Sequence, residues 1–90
     1  MSYGSITVPS GTAILIVGYN DRRKSVVITN EGSSKIYLGS DSLVTSATGI
    51  SVEDTDGKYT EDSAGTRMYL GDIYGISADS TNDIRYWEKL

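Results

Sequence analysis

The apolar residues of this chain occur in short runs rich in valine, isoleucine and tyrosine, and turn-forming glycine, serine, asparagine or aspartate residues separate these runs. Runs of this length are typical of β-strands, whereas a core helix needs an apolar stripe sustained over about ten residues or more. No segment carries such a stripe. We therefore predict an all-β fold, in which residues 1–90 form a single antiparallel β-sandwich or flattened barrel of about seven or eight short strands.

The β-branched and aromatic runs, together with the turn residues between them, place the strands. We predict strands near residues 5–8, 12–18, 25–29, 35–38, 49–52, 66–70, 73–77 and 83–88. Since the connections are short, we expect antiparallel hairpins closed by residues 30–34, with Gly32 in the left-handed region, by Gly71-Asp72 and by residues 79–82. The acidic stretch 53–65 is expected to be a long irregular loop.

Two of these segments, residues 13–17 and 26–28, are apolar at every position. Since successive side chains of a strand point to opposite faces, both faces of these strands are expected to be apolar. A two-layer sandwich buries only one face of each sheet, so the second face needs a cover, either the chain's own loops or another subunit. A chain of 90 residues has few loops to spare and is marginally stable alone, so we predict that another subunit covers it.

The chain contains no cysteine and no histidine, which removes disulfides, the usual zinc sites and catalysis by a nucleophile–histidine pair. Its net charge of −4 disfavours a nucleic-acid partner. The first residues lack the pattern of a secretory signal, and no apolar run approaches the length of a membrane span. We expect a protein made in the cytoplasm without a signal peptide, which is not an enzyme and has no cofactor, nucleic-acid or membrane partner.

The acidic stretch offers two chemistries besides plain solvation. Asp54, Asp56, Glu61 and Asp62 could supply a carboxylate pair for hydrolysis, but residues on one loop do not form a rigid cleft. Around Gly57 the sequence approaches a calcium-binding loop, yet valine and serine occupy the first and last ligand positions. We therefore favour a solvated acidic loop.

The candidate functional residues are those that could contact another protein. We assign a candidate protein interface to Ile14, Ile16, Arg22, Arg23, Tyr69 and Trp87. Aromatic and arginine side chains are enriched at interfaces, although the ordinary interpretation of the basic cluster is a solvated turn or a charged guard beside an aggregation-prone strand. A second alternative is a sugar-stacking platform formed by Tyr69, Tyr86 and Trp87, and the residues alone do not separate it from a protein contact.

Three stretches of the chain carry a resemblance. They are residues 22–32, an arginine-led strand that ends in Asn-Glu-Gly, the Ile-Tyr-Leu-Gly strand at residues 36–39, and Gly-Asp-Ile-Tyr-Gly-Ile-Ser at residues 71–77 followed by Asp-Ile-Arg at residues 83–85. This succession resembles small β-sandwich domains of tailed-bacteriophage virions, which occur as head decoration proteins and as modules of head or tail fibres. The match covers residues 22–88 and contains no catalytic group, and the acidic insertion at residues 53–62 departs from the family's compact loop.

The resemblance implies a location on the capsid exterior, no cofactor, and binding to the phage major capsid protein or to copies of the same chain. We accordingly expect a capsid decoration or cement protein that self-associates. A homotrimer is favoured because such proteins commonly sit at the symmetry positions of a capsid. The alternative is a phage fibre or adhesin module that binds host glycans through exposed tyrosine and tryptophan rings.

Overall fold

Eight strands make up the computed structural model, which describes residues 2–62 and 69–90. They are β1 (Ser2–Val8), β2 (Ile14–Val17), β3 (Ser25–Asn30), β4 (Ile36–Gly39), β5 (Ile50–Val52), β6 (Gly57–Asp62), β7 (Ile73–Ser77) and β8 (Asn82–Lys89). The predicted all-β fold is therefore confirmed. In the described part of the chain no helix is long and apolar enough to cross a membrane.

The strands form two four-stranded antiparallel sheets that pack face to face. Sheet A has the order β1-β8-β3-β6, and sheet B has the order β2-β7-β4-β5. Strand β1 pairs with β8, β2 with β7, β3 with β6 and β4 with β5, so the chain is one long hairpin that has been rolled up. This arrangement is the topology of a jelly roll, a double-sheet form of the β-sandwich.

The predicted hairpins are wrong, because β4 and β5 are the only described strands that are neighbours both along the chain and within a sheet. The connections at residues 30–34 and 79–82 each lead from one sheet to the other, as does the path from β6 to β7 that contains Gly71-Asp72. Gly32 does not adopt a positive φ; a Cβ there would overlap the Asn82 side chain. Crossing between sheets lets the two apolar faces close over each other, which a flat meander of strands cannot do.

The acidic stretch is also not the irregular loop that the sequence predicts. Residues Gly57–Asp62 form β6, which pairs with β3 over its whole length. Two residues with positive φ, Thr55 (50°) and Asp56 (70°), make the tight turn that precedes it. The predicted strand at 66–70 falls mainly outside the described residues, and Tyr69 and Leu70 do not belong to a strand.

The core lies between the sheets, where both contribute their inward-facing aliphatic side chains. Its buried members are Val8, Ile16, Val17, Val26, Ile28, Ile36, Leu38, Val52, Ile73 and Ile84. In β3 the alternation is regular, with Val26 and Ile28 buried and Val27 on the outer face. In β2 a register shift between Leu15 and Val17 allows two successive residues, Ile16 and Val17, to be buried at 5% exposure each. A β-bulge has this effect because it adds one residue to one strand of a pair.

Candidate interaction surface

The outer face of sheet A carries two exposed aromatic rings side by side. Tyr3 on β1 lies opposite Trp87 on β8, and Trp87 in turn lies opposite Val27 on β3. Tyr3 is 79% exposed and Trp87 is 54% exposed, whereas Val27 is half-buried beside them. We call Tyr3, Val27, Thr29, Arg85 and Trp87 the aromatic face. A shallow groove of about 460 Å³ runs along it and is also lined by Gly4 and Tyr86.

The alternation of β8 explains why these groups point outward. Asn82, Ile84 and Glu88 face the core and are buried, so Arg85 and Trp87 must face solvent. Tyr86 lies on the inner side, where it packs against the core and its hydroxyl lies close to Gly4. The proposed sugar platform therefore cannot contain Tyr86 and Trp87 on the same face.

Basic side chains lie on the aromatic face and beside it. Arg85, a member of the face, is two residues before Trp87 on β8, and its guanidinium contacts the Asp83 carboxylate at 3.2 Å. Lys58 lies opposite Thr29, and Lys89 lies opposite Ser25, and both lysines are exposed. Exposed ion pairs such as Arg85–Asp83 contribute little to the stability of the fold. Exposed charges of this kind instead influence which partner surface approaches the aromatic face, because opposite charges attract and like charges repel.

Arg23 was predicted to lie at an interface, but the structure buries it. Its Nε donates to Glu88 Oε2 at 2.6 Å, and the two side chains are 0% and 6% exposed. The remaining guanidinium donors reach three backbone carbonyls, those of Tyr69 (3.0 Å), Gly71 (3.1 Å) and Gly18 (2.8 Å). Arg23 thus connects the end of β2, the segment before β7 and the end of β8, and its fully buried side chain is not accessible to a partner.

The other predicted interface residues do not form one surface. Ile16 is buried in the core and is also unavailable to a partner, and Ile14 is half-buried and packs against the same core. Arg22 is exposed in the loop between β2 and β3. Tyr69 is exposed, and its hydroxyl donates to the Asp72 carbonyl at 2.7 Å. Of the six predicted residues, Trp87 alone belongs to the aromatic face.

Glu61 accepts hydrogen bonds from two tyrosines at the edge of the sandwich. Its Oε2 accepts from the Tyr59 hydroxyl at 2.5 Å, and its Oε1 accepts from the Tyr69 backbone N–H at 2.7 Å. Burial, the hydrogen bond and the negative charge of Glu61 raise the pKa of Tyr59 to about 12. Burial and the negative charge of Asp72 also raise the pKa of Tyr69 above its ordinary value.

The acidic residues of this stretch are divided between a turn and a strand. Asp54 and Asp56 belong to the tight turn before β6, whereas Glu61 faces inward from the strand itself. Among residues 2–62 and 69–90, no three acidic side chains lie close enough together to hold a metal ion. The turn is fixed by the backbone instead, because the N–H of Thr55 donates to Gly32 O at 3.0 Å and that of Asp56 donates to Asn30 O at 2.9 Å.

Four members of the aromatic face, Tyr3, Val27, Thr29 and Arg85, are absent from the predicted site residues. The predicted first strand began at residue 5, whereas β1 begins at Ser2 and places Tyr3 opposite Trp87. Alternation in the sequence Ser25-Val26-Val27-Ile28 could have marked Val27 as the residue on the opposite face from its neighbours. Its proximity to Trp87 depends on β8 lying between β1 and β3, which the sequence pattern does not reveal.

Comparisons with known proteins add no family to this description. No protein-family model matches the sequence, and no curated protein or solved structure is significantly similar to it. Jelly rolls serve as viral capsid proteins, as lectin domains and as cupins, so the topology alone does not select a function. The groups that the chain exposes must therefore be considered in their own right.

Proposed function

We propose that this protein is a structural virion component, a capsid decoration or cement protein that binds the major capsid shell of a tailed phage through its aromatic face. The observation that carries the proposal is the exposed Tyr3–Trp87 pair on the outer face of sheet A. The resemblance of residues 22–88 to virion domains supplies the partner class.

Side chains of this kind suit a protein contact. Tyrosine, tryptophan and arginine are the residues most often found at the centre of protein interfaces, where they bury a large area with little loss of rotamer freedom. The aromatic face combines all three types in Tyr3, Trp87 and Arg85. Its basic neighbours Lys58 and Lys89 favour a partner surface that carries carboxylates.

The support beneath the aromatic face is rigid. Val26, Ile28 and Ile84 lie on the inner side of the same strands and are 1%, 0% and 0% exposed. A packed sheet fixes the backbone of β3 and β8 beneath this face, so association costs less backbone entropy than it would from a loop. This preorganisation suits a protein whose task is to hold a shell together.

The proposal is tested by co-sedimentation of the purified protein with empty phage heads. The unmodified protein is expected to sediment with the heads at micromolar concentration. Trp87→Ala is expected to weaken this binding by roughly tenfold to thirtyfold, the range of an interface hot spot. Tyr19→Ala is the matched control, because Tyr19 is 66% exposed but lies outside the aromatic face.

Two results would contradict the proposal. One is the absence of co-sedimentation at any protein concentration up to the micromolar range. The other is equal binding by the unmodified protein and Trp87→Ala while Tyr19→Ala binds less, since that outcome places the contact elsewhere.

A second candidate function is glycan binding by a fibre or adhesin module. The groove beside Trp87 favours it, because a sugar ring could stack on the indole while Thr29 and Arg85 offer polar groups along the same groove. A glycan array distinguishes the two functions. Specific binding to a glycan that is lost in Trp87→Ala, together with no binding to heads, would replace the capsid proposal with this one.

A further inference from the structure

Four strands lie at the edges of the two sheets, and they differ in how they are protected against pairing with another strand. Strands β1 and β6 are the edges of sheet A, and β2 and β5 are the edges of sheet B. Strand β5 has only three residues, and β2 is interrupted by its register shift. Strand β6 carries Lys58 and Glu61. Short length, bulges and charges are the usual means of blocking an exposed edge.

Strand β1 has none of these protections. It is seven residues long, and its pairing with β8 is regular from Ser2 to Val8. Its sequence, Ser-Tyr-Gly-Ser-Ile-Thr-Val, contains no charged residue and no proline. Within residues 2–62 and 69–90, no strand pairs with its other edge. A long, regular and uncharged edge of this kind readily accepts a further strand.

We propose that β1 pairs antiparallel with β1 of a second copy of this chain about a twofold axis near Ser5, which joins two copies of sheet A into one continuous sheet. In this register Ser5 pairs with Ser5 of the other copy, Tyr3 pairs with Thr7, and Gly4 pairs with Ile6. The two members of each pair lie on the same side of the joined sheet, because Tyr3, Ser5 and Thr7 point outward while Gly4 and Ile6 point toward the core.

A second copy fits this edge for two reasons. The protein carries a net charge of −4, so identical molecules repel each other in general, but β1 contributes no charge to a contact between two copies. In addition, Ile6 is half-buried against the core, and in the proposed register it pairs with Gly4 of the second copy, over which the Tyr86 ring of that copy lies. Pairing therefore covers part of an apolar side chain that the single molecule leaves accessible.

The resulting assembly is twofold, because antiparallel pairing of one strand with itself brings the same surface of both molecules together. This differs from the trimer that the sequence resemblance favours. The pairing also places the two aromatic faces on the same side of one sheet, next to each other across the axis. It rests on the edge of β1 alone and does not depend on the proposed capsid function.

The test measures the mass of the untagged protein by sedimentation velocity over a concentration series. The unmodified protein is expected to form a dimer at micromolar concentration. Ser5→Lys and Ser5→Glu are each expected to weaken the dimer by about tenfold or more, since like charges directly opposite each other destabilise a strand pair. An equimolar mixture of the two variants is expected to restore dimers. Thr60→Lys, an exposed position on the other edge of sheet A, is the matched control and is expected to leave the dimer intact.

Hydrogen exchange of the unmodified protein provides a second measurement that needs no variant. Amides of residues 2–8 are expected to become more protected as the protein concentration rises, while those of residues 57–62 are expected to stay unchanged. A monomer at all concentrations up to about 100 μM would overturn the proposal, because a dimer with a dissociation constant in the micromolar range would be largely formed at that concentration. A dimer that Thr60→Lys disrupts and Ser5→Lys does not would also overturn it, as would a mixture of the two Ser5 variants that stays monomeric.

Discussion

The guanidinium of Arg23 donates to Glu88 and to three backbone carbonyls from two separate segments. Arg22, Arg23 and Lys24 look alike in the sequence, and an exposed basic cluster is the ordinary interpretation of such a run. The loop between β2 and β3 turns only Arg23 inward, whereas Arg22 and Lys24 remain exposed. Which of three consecutive cations becomes buried depends on the loop path, and no periodic pattern encodes that path.

We expect Arg23→Met to lower the free energy of unfolding by about 3–5 kcal/mol, because it removes the guanidinium that pairs with the buried carboxylate of Glu88. Urea denaturation followed by circular dichroism measures the change. Arg22→Met is the control and should stay within about 0.5 kcal/mol of the unmodified protein, as is usual for an exposed position. Equal stabilities for the two variants would show that the buried ion pair contributes nothing.

Tyr59 makes stability depend on pH in the alkaline range. Its pKa is raised from 10.0 to about 12 in the folded protein. Below pH 10 both states hold the proton, between about 10 and 12 only the unfolded state loses it, and the stabilisation from Tyr59 is therefore lost as the pH rises through that window. Denaturation curves measured at several pH values should show a steeper loss for the unmodified protein than for Tyr59→Phe. Parallel curves for both proteins would contradict the raised pKa.

At the scale of the elements, the bulge in β2 allows a continuous apolar run to be buried largely on one side of the sheet. The sequence predicts that residues 13–17 alternate between the two faces of a sheet, which led to the expectation of a covered outer face. The register shift instead sends both Ile16 and Val17 into the core, and Leu15 is left on the outside at 42% exposure. Much of the apolar excess is thus accommodated within one molecule.

The bulge predicts opposite effects of the same substitution at neighbouring positions. Ile16→Asp should unfold the protein, because a buried carboxylate without a partner costs several kcal/mol, which is comparable to the whole stability of a small domain. Leu15→Asp should remain folded, since that side chain already contacts solvent. Circular dichroism distinguishes the outcomes, and a folded Ile16→Asp variant would show that β2 has a regular register.

The identity of most strands could be predicted from the sequence, but their neighbours could not. Runs such as Val26-Val27-Ile28 and Ile36-Tyr37-Leu38 specify extended backbone through β-branched residues and alternation. Strand β6 was missed because its residues are mostly polar, and only its pairing with β3 makes it a strand. The aromatic face was missed because it also depends on strand pairing. Trp87 is evident in the sequence as a candidate, but Tyr3 lies beside it only because β1 pairs with β8.

At the scale of the whole molecule, the nested pairing of the strands imposes an order on assembly. The sole neighbour of β1 in the described structure is β8, so the first strand of the chain joins the sheet only through the last one. During synthesis Ile6 and Val8 must therefore stay without their final partners until residues 82–89 have left the ribosome. Closing a loop of such length is slow compared with forming local contacts. The nascent chain consequently carries β1 as an unpaired, uncharged strand until β8 has been synthesised.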